Sequence, residues 1–181
     1  YPQQKPLGQN VVSILVDAQT LLNGISRSIF ATADDELRPV MNGIYFDIHP
    51  DNLTFVASDG HKLVRLRNLS VKSAEKASFI LPKKPANLLK AVLAKESEMV
   101  TIKFDDNNAY INCTNFEMVC RLIEGRFPNY NSVIPQNNPH KVIIDRLSLM
   151  NALKRVSVFS NPASSLVKLQ LKENQMKVSA Q

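Results

Sequence analysis

Ser58, Asp59 and His61 are the residue types of a nucleophilic triad, in which a hydroxyl gives its proton to an imidazole held by a carboxylate. That chemistry needs three side chains converging from separate places. Here they are near neighbours across Asp59-Gly60, so their side chains project in different directions. The chain has no Gly-x-Ser-x-Gly, no phosphate-binding loop and no paired acidic constellation. His49, His61 and His140 lack metal-ligand spacing. The expectation is a protein that is not an enzyme and holds no metal or cofactor. Cys113 and Cys120 fall in predicted neighbouring strands. They read as small hydrophobes in a reducing, cytoplasmic compartment rather than as a disulfide.

The same stretch can serve recognition. Residues Leu53 to Leu66 read as two strands joined at Asp59-Gly60, a turn in which Gly tolerates positive φ. Phe55 and Ala57 alternate with Thr54, Val56 and Ser58, the period of a strand. Ser58, Gly60, His61 and Lys62 then share a surface corner, with Leu63 just behind. The plain alternative is a solvated hairpin tip.

A second capacity is phosphate contact. The chain of 181 residues carries a formal charge of +6, and a basic balance fits a polyanion partner. A predicted helix from Lys83 to Lys95 bears Lys83, Lys84, Lys90 and Lys95 with no acid before Lys95. A helix after Asp145 bears Arg146, Lys154 and Arg155, and the first predicted helix bears Arg27. Such side chains give affinity without sequence readout.

These groups need a scaffold. With 44% hydrophobic and 21% charged residues, the chain can build a core. No apolar run is long enough to span a bilayer. Tyr1-Pro2-Gln3-Gln4-Lys5-Pro6 is polar and Pro-rich, unlike a signal peptide. It lacks an initial Met, so the gene product is expected to start elsewhere. Residues 1–10 read as a linker. A strand over 11–16 precedes Asp17 as N-cap and a helix with Leu21, Leu22, Ile25 and Ile29 on one face. After a loop ending at Pro39, Gly43–Ile48 and the hairpin are strands. Phe79–Leu81 leads into the second helix, with Pro85 in its first turn and Leu88, Leu89, Val92 and Leu93 as its apolar stripe. Strands over 100–104, 109–113 and 117–122 follow. Then come a predicted strand Val142–Ile144, a helix with Leu149, Met150, Leu153 and Val156, and two last strands over 166–171 and 175–179.

Internal repetition organises the list. Asn52-Leu53-Thr54-Phe55 is matched by Asn108-Ala109-Tyr110-Ile111, and Arg65-Leu66 by Arg121-Leu122 at the same spacing. Leu21-Leu22 corresponds to Leu88-Leu89. A longer repeat pairs Asp17, Asn23 and Arg27 with Asp145, Asn151 and Arg155. Residues 11–122 thus read as βαβββ written twice, and a third copy begins after the connector.

Three motifs carry a family resemblance: Asp35-Glu36-Leu37-Arg38 with Asn42-Gly43, Ala57-Ser58-Asp59-Gly60-His61-Lys62-Leu63, and Glu124-Gly125-Arg126-Phe127-Pro128-Asn129-Tyr130 with Val133-Ile134-Pro135. Together they resemble the bacterial sliding clamps, the β subunits of DNA polymerase III. The resemblance implies an α+β clamp fold of tandem βαβββ units, with antiparallel sheets outside and helices lining a ring. It implies a linker at 1–10, a complete middle domain at 11–128, a connector at 129–135 and the first part of a third domain at 136–181. On that reading the chain is a piece of a longer protein and would not form a ring by itself.

The resemblance also implies a function. The family's rings are homodimers that encircle double-stranded DNA and tether the polymerase III catalytic subunit, the clamp loader and other partners, with no membrane involved. By motif, the partner-peptide pocket falls on Arg38 and Met41, on Ser58, Gly60, His61, Lys62 and Leu63, and on Pro128, Ser132 and Val133. Lys62 stands where Arg is common, and Ser132 where a basic residue can occur. Arg27, Lys83, Lys84, Lys90, Lys154 and Arg155 would face DNA. The alternative is a generic nucleic-acid-binding α+β module without ring closure.

Overall fold

A computed structural model of the chain describes residue 8 and residues 10–180. The predicted linker therefore lies outside the described residues apart from Gly8, whose amide donates to Asp105 Oδ2 at 2.9 Å, and Asn10. The chain divides into two compact units at Ile134–Pro135, and each is described by itself.

The first unit begins with β1 (Val12–Asp17) and α1 (Ala18–Ser28). The Asp17 carboxylate accepts from the Thr20 amide at 2.8 Å, satisfying a helix-start N–H that has no intrahelical partner. Leu21, Ile25 and Ile29 are buried in the core. Then come β2 (Gly43–His49), β3 (Asn52–Ser58), β4 (Leu63–Asn68) and β5 (Ala77–Pro82). Helix α2 (Lys83–Leu93) and strands β6 (Met99–Phe104), β7 (Asn108–Asn112) and β8 (Glu117–Arg121) complete the second copy of the repeat.

The strands form two four-stranded antiparallel sheets, and the repeats trade their first strands. One sheet runs β1-β6-β7-β8 and the other β4-β3-β2-β5. Thus β1 of the first repeat pairs with β6 of the second, Val16 opposite Val100, while β5 of the second pairs with β2 of the first, Phe46 opposite Phe79. Helices α1 and α2 pack on each other and on the sheets. The shared core holds Phe46, Phe55, Phe79 and Phe104, with Phe46 stacked on Phe79 at 4.4 Å between ring centres.

Burial departs from the sequence pattern in two places. Every residue of β3 is buried, although its pattern alternates. Leu53 and Phe55 face the main core, while Val56 lies in a second cluster with Ile80, Phe127 and Tyr130. The chain after β8 folds back over the sheet's outer face at Val56 and Ile80, so β3 is covered on that side as well, while Arg65 and Arg67 of β4 on the same face stay exposed. In α2, Ala86, Leu89 and Leu93 are buried, but Leu88 and Val92, predicted to share the apolar stripe, are exposed. The buried side runs 86, 89, 93, one step round the helix from the predicted stripe.

The second unit holds α3 (Arg146–Ser157), capped by Asp145 through the Ser148 amide at 2.8 Å, and a hairpin of β9 (Val167–Lys172) and β10 (Gln175–Ala180). Its helix buries no side chain, and Ile143, Val158 and Phe159 are largely exposed. The strand predicted at Val142–Ile144 is absent. The equivalent strand β1 gains its ladder from β6, a strand of the following repeat. Among the described residues of this unit, β9 and β10 pair only with each other. A run of β-branched residues without a partner strand forms no ladder.

Candidate functional site

The corner between β3 and β4 is a four-residue loop, Asp59–Lys62, longer than the two-residue turn expected, and Ser58 pairs with Leu63 at its base. Gly60 has φ +92°, and a Cβ there would lie 2.7 Å from Arg38 Nη1. The positive φ favours glycine here, while the half-exposed Arg38 guanidinium could move aside from a Cβ. The loop is tied from within. Asp59 Oδ1 accepts from the His61 and Lys62 amides, each at 2.9 Å, and its other oxygen pairs with the Lys62 ammonium. The Ser58 hydroxyl donates to the Lys62 carbonyl at 2.8 Å and accepts from the Gly60 amide at 3.1 Å. Ser58 is thereby committed to loop structure, with no geometry of a nucleophile.

Arg38 joins this corner. Its Nε donates to Asp35 Oδ2 at 2.7 Å, and its Nη2 reaches the Asp59 carbonyl at 3.4 Å. Arg38, Asp59, His61, Lys62 and Lys83 help line an open polar hollow of about 690 Å³. Met41 is buried, and its backbone carbonyl accepts from the Ala33 amide at 2.8 Å. Bonds from the Lys62 side chain and from the Lys62 and His61 amides hold the Asp59 carboxyl well below the usual carboxylate range. A depressed folded value means this contribution is complete above the unfolded carboxylate pKa and is lost as pH falls through the lower folded value. The Asp59 carboxyl, followed by NMR, should titrate below the ordinary aspartate value of 3.8, with the His61 and Lys62 amide shifts moving on the same curve. An Asp59 midpoint at or above 3.8 would contradict the loop geometry.

The apolar part of the site lies next to the corner. Half-buried Leu63 packs on Val56, Ile80, Phe127 and Tyr130, as do Val40, Tyr45, Ile123 and Ile134. Phe127 stacks on Tyr45 with ring centres 4.8 Å apart and planes 5° from parallel. The segment then makes a 3-10 turn over Tyr130–Val133. Arg65 Nη1 reaches Asn131 Oδ1 at 3.4 Å, a long contact between β4 and this turn. Pro128, Ser132 and Val133 are exposed, and the Ser132 hydroxyl donates to the Asn129 carbonyl at 2.7 Å. The structure gathers Arg38, Ser58, Gly60, His61 and Lys62 at the loop, and sets Leu63 against the aromatic cluster from which Pro128, Ser132 and Val133 extend. Sequence reasoning missed Val40, Tyr130 and Ile134. Tyr130 and Ile134 stood inside a quoted motif, and an aromatic three residues after Phe127 was their only signal.

Of the basic side chains, Arg27, Lys84, Lys90, Lys154 and Arg155 are exposed on their helices. Lys83 differs: its ammonium lies 2.5 Å from Asp34 Oδ2, so part of its charge is neutralised locally. Lys83 and Lys84 sit in the first turn of α2, where the helix dipole is already positive and the helix itself places no acid. The two thiols are pushed up to about 11 by burial, and Cys120 lies opposite Ala109 rather than Cys113. Among the described residues no group of side chains is arranged to hold a metal, and no helix is long and apolar enough to cross a membrane.

Family comparison decides what this arrangement belongs to. Residues 15–129 match the model of the DNA polymerase III β subunit central domain, and residues 131–181 match that of its C-terminal domain. The chain belongs to the DNA polymerase III β subunit family. Among the sliding clamps it resembles, that of Borreliella burgdorferi is 34% identical over 155 residues, covering 85% of this chain and 40% of the relative. The Thermotoga maritima β subunit superposes with a TM-score of 0.87 at 31% identity, over 98% of this chain and 48% of that one. The Bartonella birtlesii sliding clamp bound to griselimycin gives 0.86 at 29% identity, over 98% and 49%. The chain thus spans about half the length of its sliding-clamp relatives. The α+β clamp fold expected from the motifs is the fold found.

Proposed function

We propose that this chain works as part of a processivity factor, a homodimeric ring that encircles duplex DNA in the cytoplasm and tethers the replicative polymerase, the clamp loader and other partners. In this role it catalyses nothing. The observation that carries the reading is the pairing of a rigid polar loop with an apolar patch at Leu63, in a chain whose relative binds griselimycin. The partner groove comprises Arg38 and Met41, the loop residues Ser58, Gly60, His61 and Lys62 with Leu63, and Pro128, Ser132 and Val133. Met41 would sit beneath the surface, supporting the groove from behind. Its polar donors orient a peptide while Leu63 and Val133 take apolar anchors.

The DNA-facing role falls on Arg27, Lys84, Lys90, Lys154 and Arg155, with Lys83 contributing less because of Asp34. Such contacts suit a ring that must slide, since phosphate binding holds without registering sequence. The test compares circular and linear duplexes. The intact protein, loaded on a nicked circle, should stay bound through gel filtration and be lost when the circle is cut. Lys84→Gln with Lys90→Gln should lower DNA affinity about equally across sequences, and reduce its salt dependence by roughly one unit of slope per lost phosphate contact. Salt-sensitive binding to linear DNA, with no preference for circles, would instead favour the generic nucleic-acid-binding module.

A further inference from the structure

Buried Tyr130 and Asp47, with half-exposed His49, form a polar chain that neither the loop nor the basic helices use. Tyr45, Asp47 and His49 alternate along β2 and so share the sheet's outer face. Asp47 is 7% exposed, and a carboxylate that deep needs partners. Tyr130 Oη donates to Asp47 Oδ2 at 2.7 Å, and His49 Nε2 lies 3.1 Å from Asp47 Oδ1. We propose that Tyr130 and Asp47 are positioning residues of the partner groove, fixing the turn that presents Val133. The proposal rests on the groove reading above and names what holds the groove's connector side in place.

Tyr130 opens the 3-10 turn and is its only buried residue, while Val133 closes it and is 66% exposed. In a 3-10 helix the side chains at i and i+3 eclipse, so the angle at which Tyr130 enters the sheet sets the direction of Val133. The turn is also closed on itself, the Ser132 amide and hydroxyl both donating to the Asn129 carbonyl, and Ile134 packs on the same cluster beyond it; Tyr130 is the buried side chain that ties the turn's first residue to the sheet. No side chain caps the start of the turn, and the Asn131 contact to Arg65 is long. The Phe127 stack anchors the segment upstream of the turn, without fixing its rotation. Burial, with the Asp47 bond adding to it, pushes the Tyr130 phenol up to about 12, so it remains a donor at neutral pH. A residue needed only to fill the aromatic cluster could be phenylalanine. The hydroxyl is present where a carboxylate waits for it.

The experiment uses griselimycin as probe, titrated by calorimetry into the intact protein. Tyr130→Phe should weaken binding roughly fivefold, with a thermal melt showing a folded protein. Asp47→Asn keeps an acceptor for the hydroxyl and should lose less. The decisive measurement is the cycle with Val133→Ala. If Tyr130 acts through Val133, truncating Val133 in the Tyr130→Phe background should cost less than in the native one. The Val133 methyl resonances should also shift in ligand-free Tyr130→Phe. Native affinity in Tyr130→Phe, strictly additive losses, or unmoved Val133 methyls would each overturn the positioning role while leaving the groove standing. Absence of griselimycin binding to the unmodified protein, or undiminished binding in Leu63→Asp, would instead overturn the groove reading and this proposal with it.

Discussion

On the proposed groove, Leu63→Asp is expected to weaken griselimycin binding by about a hundredfold or more while leaving the fold intact. Leu63 opens β4 opposite Ser58 and lies half-buried against the cluster of Val56, Ile80, Phe127 and Tyr130. A ligand side chain docking beside it would complete its burial. Removing the leucine forfeits about 1.5–3 kcal/mol of apolar contact, and the carboxylate adds the cost of desolvating a charge on binding. A total near 3 kcal/mol corresponds to about a hundredfold in affinity. In the free protein the new carboxylate can still reach water, so the stability loss should stay near 1–2 kcal/mol. Calorimetric titration of native and variant proteins, with thermal melts of both, checks the result. Equal affinities in two folded proteins would reduce the corner to an ordinary hairpin.

A large loss of stability should come from Gly24→Ala. Alanine is the better helix former by about 1 kcal/mol, so an exposed site would gain. Here a Cβ at residue 24 would lie 2.3–2.5 Å from three ring carbons of Phe55. Phe55 is fully buried and meets Phe46 edge-on at 4.9 Å, so its ring has little room to retreat. Either α1 lifts off the sheet or the aromatic core repacks, and overpacking of this kind costs about 1–3 kcal/mol or more. A net loss near 2 kcal/mol should appear as a lower urea midpoint with an unchanged slope. In a Phe55→Leu background the same Gly24→Ala change should cost less, because the ring it strikes is gone. An unchanged or raised midpoint for Gly24→Ala alone would mean the helix and sheet are not so closely apposed.

Much of this was legible in the residues. The paired Asn52-Leu53-Thr54-Phe55 and Asn108-Ala109-Tyr110-Ile111 do open the equivalent strands β3 and β7, and Asp17 and Asp145 both cap helices. Gly60 announced a left-handed turn and adopts one. What stayed hidden depended on distant chain. Nothing local in β3 says that Phe127 and Tyr130 will cover its outer face, so an alternating pattern became a strand buried on both sides. Asp34 is remote in sequence from Lys83, and their ion pair is invisible until the fold brings them together. Val142–Ile144 has the composition of a strand, but a ladder belongs to two partners. Within the candidate site, the motifs marked the loop and the connector. The Tyr130–Asp47 bond linking connector to sheet joins residues whose types are unremarkable until they meet.

The traded first strands bear on how the molecule comes into being during synthesis. A ribosome delivers β1 before the rest of this unit, and its ladder partner β6 follows only after α1, four more strands and α2. Strands β2, β3 and β4 can begin a meander as they emerge, yet that sheet gains its edge strand β5 only from the next repeat. Neither repeat can therefore mature alone, and the growing chain carries an unpaired, apolar first strand for most of the domain's translation. Sheets closed by contacts so far apart in sequence form slowly, and their waiting edges are open to wrong partners. Helix α1, capped by its own Asp17, lies against β1. It can shelter the core side of β1 until β6 arrives.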